Sequence, residues 1–218
     1  MARIKDGINT PLSGKIGNLV ACHWKGIPYL RSRPVKVNHP DSDKQLAHRM
    51  KFSMVMKFLS PFKDFLMFSM QAHAIGKTGF NVAVSENMKT ALQGVYPDIS
   101  INYSGVVLSR GELVGSAEAM IESEGEDKVR ISWTSAEGTE SKHDYDRAIM
   151  VLYNADDKEL IYFVDIAKRS EGGVLISLPA DFRSRHLECY LIFATREALL
   201  GKLTVKNISD SFYVGRVR

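Results

Sequence analysis

The 218-residue sequence predicts an α+β fold with an N-terminal β-hairpin or extended arm, a helical middle segment and a C-terminal antiparallel β-sandwich. Three observations predict it. Glycine and proline punctuate residues 1 to 40 too densely for a long helix. Apolar residues then recur at helical spacing from about residue 43 to residue 94. Beyond residue 97, short β-branched and aromatic runs follow one another without the crossover helices that a parallel sheet requires. The expected division puts arm and helices in residues 1–97 and the sandwich in 98–218.

The arm is read from alternation. Val20, Cys22 and Trp24 share one face of a strand, with Leu19, Ala21 and His23 opposite. Lys25-Gly26 supplies a turn, and "IPYLRSRP" returns with Tyr29, Arg31 and Arg33 on one face, which predicts a hairpin. The helical segment opens on Ser42 and Gln45, spaced as a capping box, with Pro40 outside and Asp43 at the positive end, so a helix should begin near Asp43. Leu46, Met50, Met54 and Phe58 form its apolar stripe, and Pro61 ends it. Phe62, Phe65, Leu66 and Met70 predict a second helical piece. A third fits "FNVAVSENMKTALQG", with Val84, Met88 and Leu92 on one side and Gly94 as its stop.

Seven segments read as strands: "INYSGVVLSRGELV", "VRISWTS", "RAIMVLYNA", "LIYFVDIAK", "GVLISLP", "LECYLIFAT" and "DSFYVGRV". The "ADDKE" stretch at 155 to 159 is a hairpin turn between two of them.

Charge is divided along the chain. Residues 1 to 57 hold eleven Lys/Arg against three acids, and residues 101 to 218 hold fifteen against nineteen, within a total of +4. A basic end and an acidic end suit nucleic acid, an acidic protein surface, or head-to-tail contact between copies of the chain. Cys22 and Cys189 lie far apart and fit a reducing compartment. The N-terminus lacks the apolar core of a secretion signal, and the most apolar run, Phe52 to Met70, carries Lys57, Lys63, Asp64 and Pro61, which disqualifies it as a membrane span. A cytoplasmic protein without membrane contact is expected.

Three resemblances accompany this reading. Trp133 in "VRISW", Tyr153 in "RAIMVLY" and the passage "LISLPADFRSRHLECYLIFAT" resemble strand-B, strand-C and later elements of a fibronectin type III module, implying a fibronectin III or immunoglobulin-like sandwich. From Ser13-Gly-Lys-x-Gly-Asn18, through Trp24 to Pro34, Pro40 to Phe52, Ile131 to Trp133 and Ser209 to Gly215, the chain resembles a bacterial family of unknown function. That resemblance implies the same order of parts and assigns no activity. The helix start with Gln45, Arg49 and Phe52 is also similar to segments of phage-associated structural proteins.

Catalytic signatures are weak. "GINTPLSGKI" and "QAHAIGKTG" each miss a glycine or a Ser/Thr of a phosphate loop, so turn glycines are the better reading. The six histidines are dispersed, and neither cysteine has metal-ligand spacing to another. His143, Asp144 and Asp146 form a tight polar cluster that reads as a solvated turn. Cys22 and His23 point to opposite strand faces. No catalytic residue, cofactor, metal or small-molecule substrate is predicted.

What remains is the basic, aromatic arm. Lys15, Trp24, Lys25, Tyr29, Arg31, Arg33 and Lys36 are the candidate partner-binding residues. They would stack on bases and meet phosphates, pack on the chain's own sandwich, or add a strand to another subunit with Trp24 as anchor. The Met-rich helix face, Met50, Met54, Met56, Met67 and Met70, reads as core. The expected function is a non-enzymatic structural or interaction protein that associates with itself or with assembly proteins, with a phage or mobile-element connection. Nucleic-acid binding through the arm is the alternative.

Overall fold

The computed structural model describes residues 2–3, 13–33, 42–135 and 141–218, and the chain divides into two compact units, Met1–Ser42 and Asp43–Arg218. In the first, strands β1 (Ala2–Arg3), β2 (Gly14–Ile16), β3 (Leu19–Trp24) and β4 (Ile27–Ser32) form an antiparallel sheet in the order β1-β4-β3-β2. The hairpin expected around Lys25-Gly26 is its centre. Both turn residues have positive φ, 48° and 77°, and Trp24 pairs with Ile27. Two left-handed residues in a two-residue loop match the twist of the strands they join.

The second unit is layered. Helices α1 (Asp43–Leu59), α2 (Lys63–Ser69) and α3 (Gly79–Thr90) lead into a small hairpin, β5 (Leu92–Val95) with β6 (Asp98–Ile101). Then come β7 (Ser116–Ser123), β8 (Lys128–Ser135), β9 (Arg147–Asn154), β10 (Glu159–Phe163), β11 (Gly173–Ser177), β12 (Leu187–Ala194), a short α4 (Arg196–Leu199) and β13 (Phe212–Val217). They form two antiparallel sheets, β10-β9-β12-β13 and β11-β8-β7. The "ADDKE" turn joins β9 to β10 as expected, and the Asn154 side chain accepts from the backbone of Asp156 at 3.0 Å.

β9 and β12 are covered on both faces, which explains their nearly unbroken apolar sequences. Ile149, Val151, Tyr153, Tyr190 and Ile192 face a core completed by Val55, Phe58 and Leu59 of α1, Phe65 and Leu66 of α2, and Val84 of α3. Ala148, Met150, Leu152, Cys189, Leu191 and Phe193 face the other way, into a core shared with Val129, Ile131 and Trp133 of β8 and Ile176 of β11. Burying one such aliphatic or aromatic side chain contributes about 1.5–3 kcal/mol. The helices therefore belong with the sheets, and the chain divides after Ser42 where the sequence suggested residue 97.

Three expectations are corrected. The segment expected as a strand over 101–114 is, beyond Ile101 of β6, an irregular connector that buries Val106, Leu108 and Leu113. Side chains satisfy its backbone in place of a sheet: Asn87 bonds both N–H and C=O of Val107, Ser69 donates to Leu108 O, and Ser211 accepts from Leu108 N. The missing strand is β7, whose "SAEAMIES" is mostly exposed and carries little apolar alternation. The third helix stops at Thr90, and Gly94 lies within β5 with φ 88°, where an added Cβ would collide with the Asp98 carbonyl.

The expected stripe of α1 is only partly core, because Phe58 is buried, Met50 and Met54 are half-buried and Leu46 is exposed. Of the other methionines on that face, Met70 is fully buried and Met67 exposed. Among the described residues, no helix is long and apolar enough to cross a membrane.

Candidate functional site

The N-terminal sheet collects the candidate residues by register. Lys15 of β2 stands opposite Val20 of β3, which stands opposite Arg31 of β4, so one cross-strand row carries a cation at each end. Two strand spacings separate them, about 10 Å. The next row on the same face pairs Cys22 with Tyr29, and the one after pairs Trp24 with Ile27. Lys15 and Arg31 are exposed, Tyr29 is half-buried, and Trp24 and Ile27 are 49% and 46% exposed. One face of a small sheet thus presents cations, a phenol and an indole in adjacent rows.

Arg33 continues the face just beyond β4, where its N–H donates to Asn18 O at 2.8 Å. Lys25 sits in the hairpin turn. Lys36 lies outside the described residues. One contributor escaped the sequence reading, Ile27, which joins through its pairing with Trp24. Local alternation signals it once the turn is placed. At the sheet's other end β2 is the edge strand, with all three residues exposed. An edge strand carries unpaired backbone donors and acceptors that another strand can meet.

Two polar clusters of the second unit are built around buried charges. Asp146, read from sequence as part of a solvated turn, is buried. Its carboxylate meets Arg169 Nη2 at 3.3 Å and His143 Nδ1 at 3.0 Å. The Arg169 guanidinium also donates to Gly115 O at 3.1 Å and Val114 O at 2.5 Å, and it lies 4.0 Å from the Phe193 ring centre. Trp133 Nε1 donates to Arg169 O at 2.8 Å, which ties β8 to this cluster. Glu188, buried in β12, accepts from Tyr213 Oη at 2.6 Å and from Arg216 Nε at 2.7 Å. Among the described residues no group of three or more His, Cys, Asp or Glu is placed to hold a metal ion. Cys22 and Cys189 are free thiols. The Gly76-Lys77-Thr78 stretch follows a 3₁₀ turn, and Thr78 Oγ1 accepts from Asn81 N at 3.2 Å, so it caps α3.

Burial raises the Tyr103, Tyr153, Tyr190 and Tyr213 phenols above their ordinary range, Tyr153 to about 12, with Glu188 adding to the shift in the other three. In the unfolded chain these groups ionise near 10. Above that pH the unfolded state binds fewer protons than the native one, so stability should be intact below pH 10 and fall as pH climbs toward 12. Denaturant midpoints measured across that range should fall, and the 295 nm phenolate band of these residues should appear only as the fold opens.

Fold and surface together define a layered α+β protein with a separate small sheet whose one face is aromatic and basic. The chain belongs to the Family of unknown function (DUF6266), whose model matches residues 11–215, a span that takes in Lys15 to Arg33 and the sheets of the second unit as far as Gly215 within β13. No match is found among curated proteins.

Proposed function

We propose that the protein is a non-enzymatic structural or interaction protein that joins copies of itself, or assembly proteins, through the aromatic and basic face of its N-terminal sheet. The observation that carries this reading is the alignment of Lys15, Arg31, Tyr29 and Trp24 on one face, with half of the indole exposed. Tryptophan, tyrosine and arginine are the residues that dominate binding energy at protein interfaces. The exposed edge at β2 supports strand addition as the mode of contact, with main-chain bonds giving affinity and the indole giving specificity. The charge division supports a head-to-tail arrangement, a basic end of one copy against an acidic end of another.

The second unit is the scaffold in this reading. Its sheet orders, β11-β8-β7 and β10-β9-β12-β13, support the fibronectin type III likeness of Trp133 and the Leu178 to Tyr190 passage. The buried charged groups are spent on internal pairs, Arg169 with Asp146 and Glu188 with Arg216, which favours a supporting role over catalysis. A cytoplasmic setting accords with the two free thiols, and the Gln45, Arg49 and Phe52 helix start makes a phage or mobile-element assembly the natural context.

Light scattering at low and high salt tests the proposal. Association that weakens as salt rises is expected, because exposed charges are screened beyond about 8 Å at physiological ionic strength. A strict monomer at every concentration and salt, with no partner retained in pull-downs, would contradict it.

The cation row beside two aromatic rings favours one second reading, nucleic-acid binding. It predicts salt-dependent retention of DNA or RNA at low salt, weakened by Arg31→Glu with Arg33→Glu. Absence of retention at low salt removes it.

A further inference from the structure

The second unit carries a cavity that the interaction surface does not use. A space of ≈ 420 Å³ opens beside α1, floored by Phe58, Tyr103 and Tyr153 and walled by Met50, Met54 and Ile101. The three floor rings are mutually packed. Phe58 lies edge-on to Tyr153 at 5.2 Å and to Tyr103 at 6.1 Å, and the two tyrosines are 6.4 Å apart. Packed aromatic rings make a stiff floor, and the unbranched methionines beside it adapt to the shape of what enters.

The charged side chains that line this bowl are both cationic, and Ser53 is a further polar group on its wall. Lys57 and Lys158 line its rim, exposed to solvent, and neither forms a hydrogen bond or ion pair among the described residues. The Tyr153 side chain lines the cavity although the residue is only 4% exposed, and its hydroxyl has no hydrogen-bond partner among the described residues. A phenol is protonated at neutral pH, and this one can donate a hydrogen bond to what enters the cavity. Of the acids that raise the Tyr103 phenol, Glu188 is already met by Tyr213 and Arg216, and exposed Asp156 does not line the cavity. Ligand sites combine an apolar lining with a few placed polar groups, and this one offers two ammonium groups and a buried phenol over an aromatic floor.

We infer that this cavity binds a small amphipathic organic anion, its apolar body on the Phe58, Tyr103 and Tyr153 floor and its acidic head between Lys57 and Lys158. A neutral molecule of the same shape would fill the floor and leave both ammonium groups unanswered. A bare inorganic anion would leave the rings and methionines uncovered. The inference does not depend on the N-terminal sheet, so its test is separable from that of the interaction surface.

The experiment uses the full chain and the fluorescent probe 1-anilinonaphthalene-8-sulfonate, with decanoate and decanol as competitors. Saturable one-to-one binding is expected, with decanoate displacing the probe at concentrations at least tenfold below those at which decanol does. Lys57→Glu with Lys158→Glu should weaken probe binding tenfold or more, and Trp24→Ala should leave it unchanged. Both lysines are exposed, so the paired variant should keep the wild-type thermal midpoint. Tyr153→Phe, which keeps the ring and removes the donor, should weaken binding several-fold. Absence of saturable binding, equal displacement by decanol, or unchanged affinity in the Lys57→Glu, Lys158→Glu variant would overturn the inference. So would loss of the probe in Trp24→Ala, which would place it on the N-terminal sheet.

Discussion

Arg169→Met should lower the free energy of unfolding by about 3–5 kcal/mol, the range found when one partner of a buried ion pair is removed. Arg169 is 1% exposed and is the largest fully buried side chain in the chain's described part. Methionine replaces much of the aliphatic stem. It leaves the Val114 and Gly115 carbonyls without their donors and removes from Asp146 the permanent charge that balances it. It also strips the cation from the Phe193 ring, 4.0 Å away. Adding Asp146→Leu should recover part of the loss, because an uncompensated buried charge costs more than an apolar pair in the same place. Urea unfolding of the two single variants and the double one measures this, and a coupling of about 0.5–3 kcal/mol is expected for groups in direct contact. Additive effects would mean that Asp146 and Arg169 do not act as a pair.

Trp24→Ala should weaken association by about 2 kcal/mol or more, the scale of an interface hot spot. That corresponds to roughly a thirtyfold rise in dissociation constant. Its effect on unfolding should be far smaller. The indole is half exposed, and its cross-strand contact with Ile27 contributes only about 0.2–1 kcal/mol. Sedimentation analysis and denaturant unfolding on the same variant separate the two quantities. A large loss of stability with no change in association would make Trp24 part of the first unit's own packing.

Much of the fold was legible because its signals are local. The turn at Lys25-Gly26 combines alternation on both sides with a glycine, and the start of α1 at Asp43 follows a capping pattern. β9 and β12 announced themselves by near-continuous apolar runs, though a single strand does not say what covers its second face. That covering layer is the helices, and only the long-range core that Phe58, Leu59 and Leu66 share with Val151 and Ile192 places them there. β7 was illegible because its strand identity comes from pairing with β8, whereas its own residues are charged and small. The connector 102–114 looked like a strand because it is apolar, and its side-chain partners, Asn87, Ser69 and Ser211, lie far along the chain.

The candidate face was legible in part for the same reason. Alternation placed Val20, Cys22 and Trp24 together and Tyr29, Arg31 and Arg33 together, but only register shows that both sets share a face with Lys15. Asp146 was misread because its partner Arg169 is 23 residues away, and no local pattern distinguishes a solvated aspartate from one buried against a distant arginine.

Amide hydrogen exchange across residues 14–32, at low and high protein concentration, tests whether this sheet is the contact surface. Protection of β2 and of the Trp24 to Ile27 turn should rise with concentration, and the rise should disappear in Trp24→Ala. Concentration-independent exchange throughout this segment, with protection appearing elsewhere or nowhere, would contradict it.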